Sequence, residues 1–472
     1  MPAASIPFNE GQASGVDELV GATAAVLNVI HDPGDAIRTR PGLSTWNLFP
    51  TVIPNASPVI GAWVFGDYLV YCTEDRKLWA LIATGLVVAL SDATAVTQLA
   101  GTLRPQAVTT ATRIVIIGGG VPQKWEGAGL SARLLGSPPA GVGIAAMTQR
   151  LIIATAAGIL FWSQPGELGG GHEDWRGDME SAEAETKPDG LLALGTTTGE
   201  LLAFGSETTQ VFVPDPDGVF VPGPTAEVGT LSGPSVIKQE AQYVFLDDRR
   251  RIVSTDGRSI NDISGPGMAK TLWRFSTVDD CWGFRARFDG ADLLAFVFPT
   301  EGRALVYNAI VQKWAEWRSI DPEGQWQPWI GRCHCYWPDR ALHLIGLDDG
   351  TIAVLDPDAF TEDGQMLKAV LRTGFVDRDS GNRKVCERVQ LTLRRGATSA
   401  TTAPVAELRW RDNLGAFGQP LRFSLGLPGD YESQVQKWTL GVYGTRQWEL
   451  TVSDPVEFVL CGAEETFTPL EA

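Results

Sequence analysis

Cys333, His334 and Cys335, with His343 downstream, are the one cluster of metal-ligand residue types in this 472-residue sequence. In a strand, Cys333 and Cys335 face one side and His334 the other. The pair therefore offers two thiolates without the C-x-x-C spacing of a zinc knuckle, and no second pair stands at a suitable distance. The cysteines read as buried free thiols among Trp329 and Trp337, and no metal or cofactor is expected. Gly118-Gly119-Gly120 follows a good strand at 114–117, but Pro122 and Gln123 stand where a dinucleotide fingerprint needs its third glycine and its helix. That run reads as a hairpin turn. Nucleophilic catalysis lacks a G-x-S-x-G elbow, and the four histidines leave few candidate bases.

Carboxylates are the remaining catalytic possibility. The doublets Asp247-Asp248 and Asp348-Asp349 would supply the acid and base of a glycosidase, yet both fall at hairpin turns, where solvated acidic residues are ordinary. Arg249-Arg250-Arg251 sits between YVFLDD and IVSTDG, flanked by Asp247, Asp248 and Asp256, and reads as an internally compensated hairpin tip. Between Glu167 and Asp189, eight acidic residues (Glu167, Glu173, Asp174, Asp178, Glu180, Glu183, Glu185, Asp189) face two basic ones, Arg176 and Lys187. This is an exposed acidic loop, and its plain reading is a solubilising insertion.

The elements that must position these residues follow one repeated unit: a short apolar run, a polar turn and a second apolar run. The first runs begin at Tyr68, Arg113, Leu151, Leu201, Tyr243, Leu293 and Leu342, a mean spacing of about 46 residues. That is the period of a β-propeller blade, a four-stranded sheet. Asp256-Gly257, Asp289-Gly290 and Asp349-Gly350 are suitable turn pairs. Trp314 and Trp317 supply aromatics for packing between blades. No long helix is expected, although 17–29 has some helical periodicity.

Past about residue 365 the strand candidates lengthen and alternate cleanly, as in 386–394, 406–411 and 447–452, which marks one buried and one wet face. The fold class expected is all-β: a six- or seven-bladed β-propeller over 41–365 with a C-terminal β-sandwich-like module over 366–472. Residues 1–40 are expected to form an N-terminal arm or closing segment, reaching a neighbour or completing a blade.

Gly (52) and Pro (29) are frequent and Trp numbers 16, which suits strands joined by tight turns. Hydrophobic residues at 44%, with mean hydropathy near zero, exclude a disordered chain and an integral membrane protein. The longest apolar stretch, 151–162, falls short of the ~20 residues that cross a bilayer, so membrane insertion is not expected. The first residues carry neither a basic nor an apolar export signal, and the six cysteines read as reduced thiols of a cytoplasmically made protein. The formal charge of −18 repels nucleic acid. Residues 366–472 hold 13 basic and 13 acidic side chains, so the first 365 carry the whole imbalance.

The closing segments 426–431 (GLPGDY), 436–456 (QKWTLGVYGTRQWELTVSDPV) and 460–462 (LCG) resemble the C-terminal signature of the packaged-DNA stabilisation, or tail nozzle, proteins of short-tailed bacteriophages. Leu27-Asn28-Val29 leading to Arg40-Pro41-Gly42-Leu43 fits the same family, as do 189–195 (DGLLALG), 202–206 (LAFGS) and Gln210-Val211-Phe212. The resemblance implies a non-enzymatic structural protein of the virion, assembled in the host cytoplasm. It would form a homo-oligomeric ring, a hexamer, below the portal and adaptor. Its partners would be the adaptor or head-to-tail connector ring, a tail fibre or spike, and a needle or plug. Double-stranded DNA would be retained and then pass through without sequence-specific binding. Six copies at −18 carry about −108, and an acidic lumen lets a duplex slide without adhering. On that reading the loop bearing Glu173, Asp174, Asp178, Glu180, Glu183 and Glu185 faces the DNA conduit. The alternatives are a sialidase-like propeller glycoside hydrolase and a generic propeller interaction scaffold. The S-x-D-x-G-x-x-W box of sialidases is absent, with 410–415 (WRDNLG) only a distant echo.

Overall fold

Each of the seven apolar runs marked by the repeat lies on the second strand of a four-stranded antiparallel unit: Tyr68–Thr73, Ile114–Ile117, Arg150–Ala154, Leu201–Gly205, Gln242–Leu246, Ala291–Phe298 and Leu342–Gly346. The computed structural model describes residues 3–8, 25–46, 56–82, 85–166, 171–175, 181–183, 189–288, 290–378, 381–394, 403–413, 415–427, 429–430 and 434–470. The second strands are continuous apolar runs because a neighbouring blade covers each face. Leu69 and Tyr71 enter one interblade core, while Val70 and Cys72 enter the next. Val115 and Ile117 likewise part from Ile114 and Ile116. The strand period of two thus deals alternate residues to alternate cores.

Five blades are separate four-stranded sheets, spanning 59–89, 106–133, 143–183, 191–226 and 237–262. The sixth spans 282–317, and the seventh combines Cys333–Trp337, Leu342–Gly346 and Ile352–Asp356 with Gly42–Thr45 as its outer strand. The propeller therefore has seven blades, and seven interblade cores close it into a ring. The last of them packs Cys333, Cys335, Trp337 and Leu344 of blade seven on Val59, Leu69 and Tyr71 of blade one. The first strand of each blade ends its sheet on the inner side, and those of blades seven, one, two, three and four lie side by side in that order, as do those of blades five and six. Trp314 and Trp317, three apart on the outer strand of blade six, point to opposite interblade cores.

The strand that closes the ring lies just past the segment expected to supply it. Among the described residues before Pro41, the strands join the C-terminal module instead. Ala3–Ser5 pairs with Val459–Pro469, Ile37–Thr39 pairs with the same strand, and Ala25–Leu27 pairs with Ala369–Arg372. Leu27 also bridges Glu316 of blade six. The sheet of blade six therefore runs on, through Ala25–Leu27, into Ala369–Arg372, Arg446–Val452, Val405–Asp412 and Leu421–Ser424. A second sheet, built on Lys384–Arg394 and Val459–Pro469, faces it across a common core that includes Val389, Leu391, Leu408, Trp448, Leu450 and Leu460.

One helix departs from expectation. Gly265–Arg274 (α1) lies in the linker from blade five to blade six, where Met268 and Leu272 are buried in the interblade core. With Gly265 and Pro266 at its start, its apolar face is too short to announce a helix in the sequence.

Candidate functional site

The cysteine–histidine cluster is brought together, but as packing. Cys333 and Cys335 lie in the core between blades seven and one, where burial pushes their thiols up to about 11 and about 12. His334 faces the other way, stacked on Phe284 of blade six at 4.7 Å. Its Nε2 stands 2.9 Å from Nδ1 of His343, whose Nε2 is 3.1 Å from the Arg287 carbonyl. The same Nε2 also lies 3.3 Å from the Arg287 backbone N–H, which donates to it, so either tautomer of His343 finds a partner on Arg287. Burial, with His343 alongside, lowers His334 to about 3, and burial lowers His343 too. Among the described residues, no three His, Cys, Asp or Glu side chains are grouped to hold a metal ion. All six cysteines are free, with Cys461 exposed and the other five buried.

The other sequence candidates are separate from one another. Gly118-Gly119-Gly120 forms the turn between Ile114–Ile117 and Gln123–Trp125, with Gly119 at φ 93° and Gly120 against Ala100 and Gly101. Asp247 is fully buried, accepts from the backbone N–H of Arg249 and Arg251, and pairs with the Arg251 guanidinium at 2.7 Å. Arg250 donates to the Phe275 carbonyl and lies over the exposed Trp273 ring. Asp348 pairs with Arg332, and Asp349 caps the N–H of Thr351. The two doublets stand on blades five and seven.

Within the acidic segment, Asp178, Glu180 and Glu185 lie outside the described residues, as do Glu167, Arg176 and Lys187. Glu173 ends a short 3-10 turn, Gly171–Glu173, and ties blade three to blade two by ion pairs with Lys124 at 2.6 Å and Arg113 at 3.5 Å. Asp174 is exposed. Glu183 is exposed on Ser181–Glu183, the outermost strand of blade three. The described acidic residues from 173 to 183 thus stand at the rim of the propeller, away from its central channel. Asp189 belongs to the fold: its carboxylate accepts from the N–H of Glu207 and Thr208, both at 2.8 Å.

Two features escaped the sequence reading. The first is a cavity of about 240 Å³ at the mouth of the channel, where the first strands begin. Its lining includes Gly61, Trp63, Arg104, Gly233, Trp282 and His334. Arg104 is a single arginine in a linker, and nothing in its local sequence marks it. The second is the edge strand Gln434–Trp438, which overlaps the start of the closing segment 436–456 and, among the described residues, pairs only with Lys384–Arg394. Trp438 is 64% exposed there, with Arg388 over its ring, and Leu427 and Val442 are exposed nearby in the chain.

No protein-family model matches the chain, and no curated protein matches it. Solved structures similar to it include the computationally designed Ika8 protein, at 11% identity and a TM-score of 0.40 over 64% of this chain and 96% of that one. Another is BamB from Moraxella catarrhalis, at 13% identity and a TM-score of 0.40 over 75% of this chain and 96% of that one. The seven-bladed propeller assigned to this chain rests on its own strand pairing and interblade cores.

Proposed function

We propose that the protein is a ring-forming structural component of a phage tail, a nozzle below the portal and adaptor that retains packaged DNA and lets it pass on ejection. The observation that carries this reading is the edge strand Gln434–Trp438. Its residues 436–438 belong to the segment that resembles the nozzle family, it has an open side among the described residues, and it presents a large exposed tryptophan. An open strand edge is a template for pairing with another chain, and aromatic anchors dominate such contacts. Blade six and the second module share one continuous sheet, which suits a subunit that must transmit load.

The acidic segment serves the same reading as the wall that DNA slides past. Glu173 is engaged with Arg113 and Lys124; the groups to test are the exposed Asp174 and Glu183, with Asp178, Glu180 and Glu185.

The experiment is the mass and shape of the protein at virion-like concentration, by sedimentation and electron microscopy. A ring is expected, and Trp438→Glu should shift it to monomers without changing the folded spectrum. In assembled particles, neutralising Asp174, Asp178, Glu180, Glu183 and Glu185 together should slow ejection. A strictly monomeric chain that hydrolyses glycosides would overturn the proposal, and unchanged ejection kinetics would move the acidic loop to the outside.

A further inference from the structure

We propose that the mouth of the propeller channel is a binding site for one small oxyanion, a carboxylate or phosphate group held by Arg104. The inference is independent of the assembly reading.

Arg104 leaves blade two just before its first strand, Gln106–Thr109, and crosses the mouth past blade one. Its Nη2 donates to the carbonyl of Arg332, at the head of blade seven, and its Cζ lies 4.4 Å over the Trp282 ring of blade six. Trp282 is itself fixed by stacking on Phe284 at 5.6 Å and Trp329 at 6.3 Å. The guanidinium is thus held in one orientation, while Nε and Nη1 have no hydrogen-bond partner among the described residues.

The charge around it is one-sided. This chain has 56 acidic residues, yet none of the described ones lines the cavity. The titratable neighbours supply no negative charge either. Cys333 and Cys281 are kept as neutral thiols by burial, and His334 is kept neutral. Burial lowers Arg104 itself to about 10, which still leaves it cationic at neutral pH. Arg104 is half-buried on the cavity wall, and an anion entering the cavity supplies the counter-charge that the lining lacks.

The walls add donors. Among the described residues the first strand of each blade pairs with one other strand only, so backbone N–H and C=O groups on its inner side lie outside the sheet ladder. Gly61, Gly233 and Gly283 keep that backbone bare: a Cβ at Gly61 would meet the Trp63 ring and Pro105 within 3 Å, and one at Gly233 would meet the Leu192 carbonyl at 2.2 Å. The cavity's 240 Å³ is below the ~300–1,000 Å³ of drug-sized pockets, which limits the ligand to a small acid or inorganic phosphate. The second N–H of Arg104 Nη2, together with that of Nε or of Nη1, gives such a group two parallel bonds, which an ammonium cannot reproduce.

The test is calorimetric titration of the whole chain with sodium acetate and sodium phosphate at constant ionic strength, with chloride as the balancing anion. Saturable one-to-one binding of at least one oxyanion is expected. Acetate alone would assign the site to carboxylates, and phosphate alone to phosphoryl groups. Arg104→Met should abolish the binding, and Arg104→Lys, which keeps the charge and safeguards the fold, should weaken it about tenfold. Absence of saturable binding to the wild-type chain, or equal affinity in the Lys variant, would overturn the proposal. In the first case Arg104 is a strut across the channel and nothing more.

Discussion

Arg40 shows how much one side chain can hold in this molecule. It is fully buried and pairs with Glu362, itself 2% exposed. Its Nε donates to Asn28 at 3.0 Å, its Nη1 to the Pro41 carbonyl at 2.9 Å, and its Cζ lies 5.2 Å over Trp317. Asn28 sits at φ 56°, accepts from the N–H of Arg318, and donates to the Lys368 carbonyl. Blade six, blade seven and the second module therefore meet on two residues that also belong to the segments resembling the nozzle family. Arg446, in the closing segment, is built the same way: buried among Trp410, Tyr443 and Trp448 and paired with Asp412 at 2.7 Å. Removing one member of a buried pair strands the other charge, at a cost of about 3–5 kcal/mol. Glu362→Gln should lower the urea midpoint accordingly, whereas Arg40→Met with Glu362→Leu should cost less than Glu362→Gln alone. A double variant at least as unstable as the single one would contradict this account.

Closure of the ring depends on the strand Gly42–Thr45 seating against Ile352–Asp356. The strand enters beneath the 359–361 turn, where Gly42 donates its N–H to the Ala359 carbonyl at 2.8 Å. A Cβ at Gly42 would lie 2.1 Å from the Thr361 carbonyl oxygen and 2.6 Å from that of Ala359. Both are backbone atoms and cannot rotate away, so the closing strand must move outward. Gly42→Ala is expected to cost about 1–3 kcal/mol, the usual range for overpacking, and to raise hydrogen exchange at 43–45 above that in blade three. Uniform exchange in the variant would show that the closing strand is not what gives way.

The response of the whole molecule to acid follows from its histidines. His31 is buried where the second module meets blade six, and burial, with Lys313 nearby, lowers it to about 4. His334 and His343 are lowered as described above. In the unfolded chain each takes a proton near 6.5, so below that pH the unfolded state binds more protons and stability falls as pH falls. For His31 the loss runs from about 6.5 down to about 4 and then stops. Each such histidine costs about 1.4 kcal/mol per pH unit inside its window. Between pH 6.5 and 5 most carboxylates are still ionised in both states, so the histidines dominate. Stability by urea unfolding should drop between pH 7 and 5, and the drop should be shallower in a folded His31→Gln variant. A flat profile over that interval would contradict the buried neutral state of these rings.

The propeller was legible because its second strands are covered on both faces, which forces continuous apolar runs at a blade-length spacing. Seven such runs, from Tyr68 to Leu342, fall on seven second strands. The compensated Arg249–Arg251 tip, the glycine turn at 118–120 and the buried Cys333 and Cys335 were readable for a similar reason: local chemistry settles each of them. The helix Gly265–Arg274, the course of the strands before Pro41 and the assignment of Asp189 and Glu173 as tethers were not readable, because each depends on partners remote in sequence. The same is true of Arg104. An arginine in a linker is ordinary in sequence, and only closure of the ring places it across the channel from Arg332 and Trp282, beyond the reach of any described carboxylate. Periodicity records which faces of a strand are buried, and so the blades were determined by the sequence alone; which blade meets which, and what stands in the space they enclose, was decided by tertiary structure.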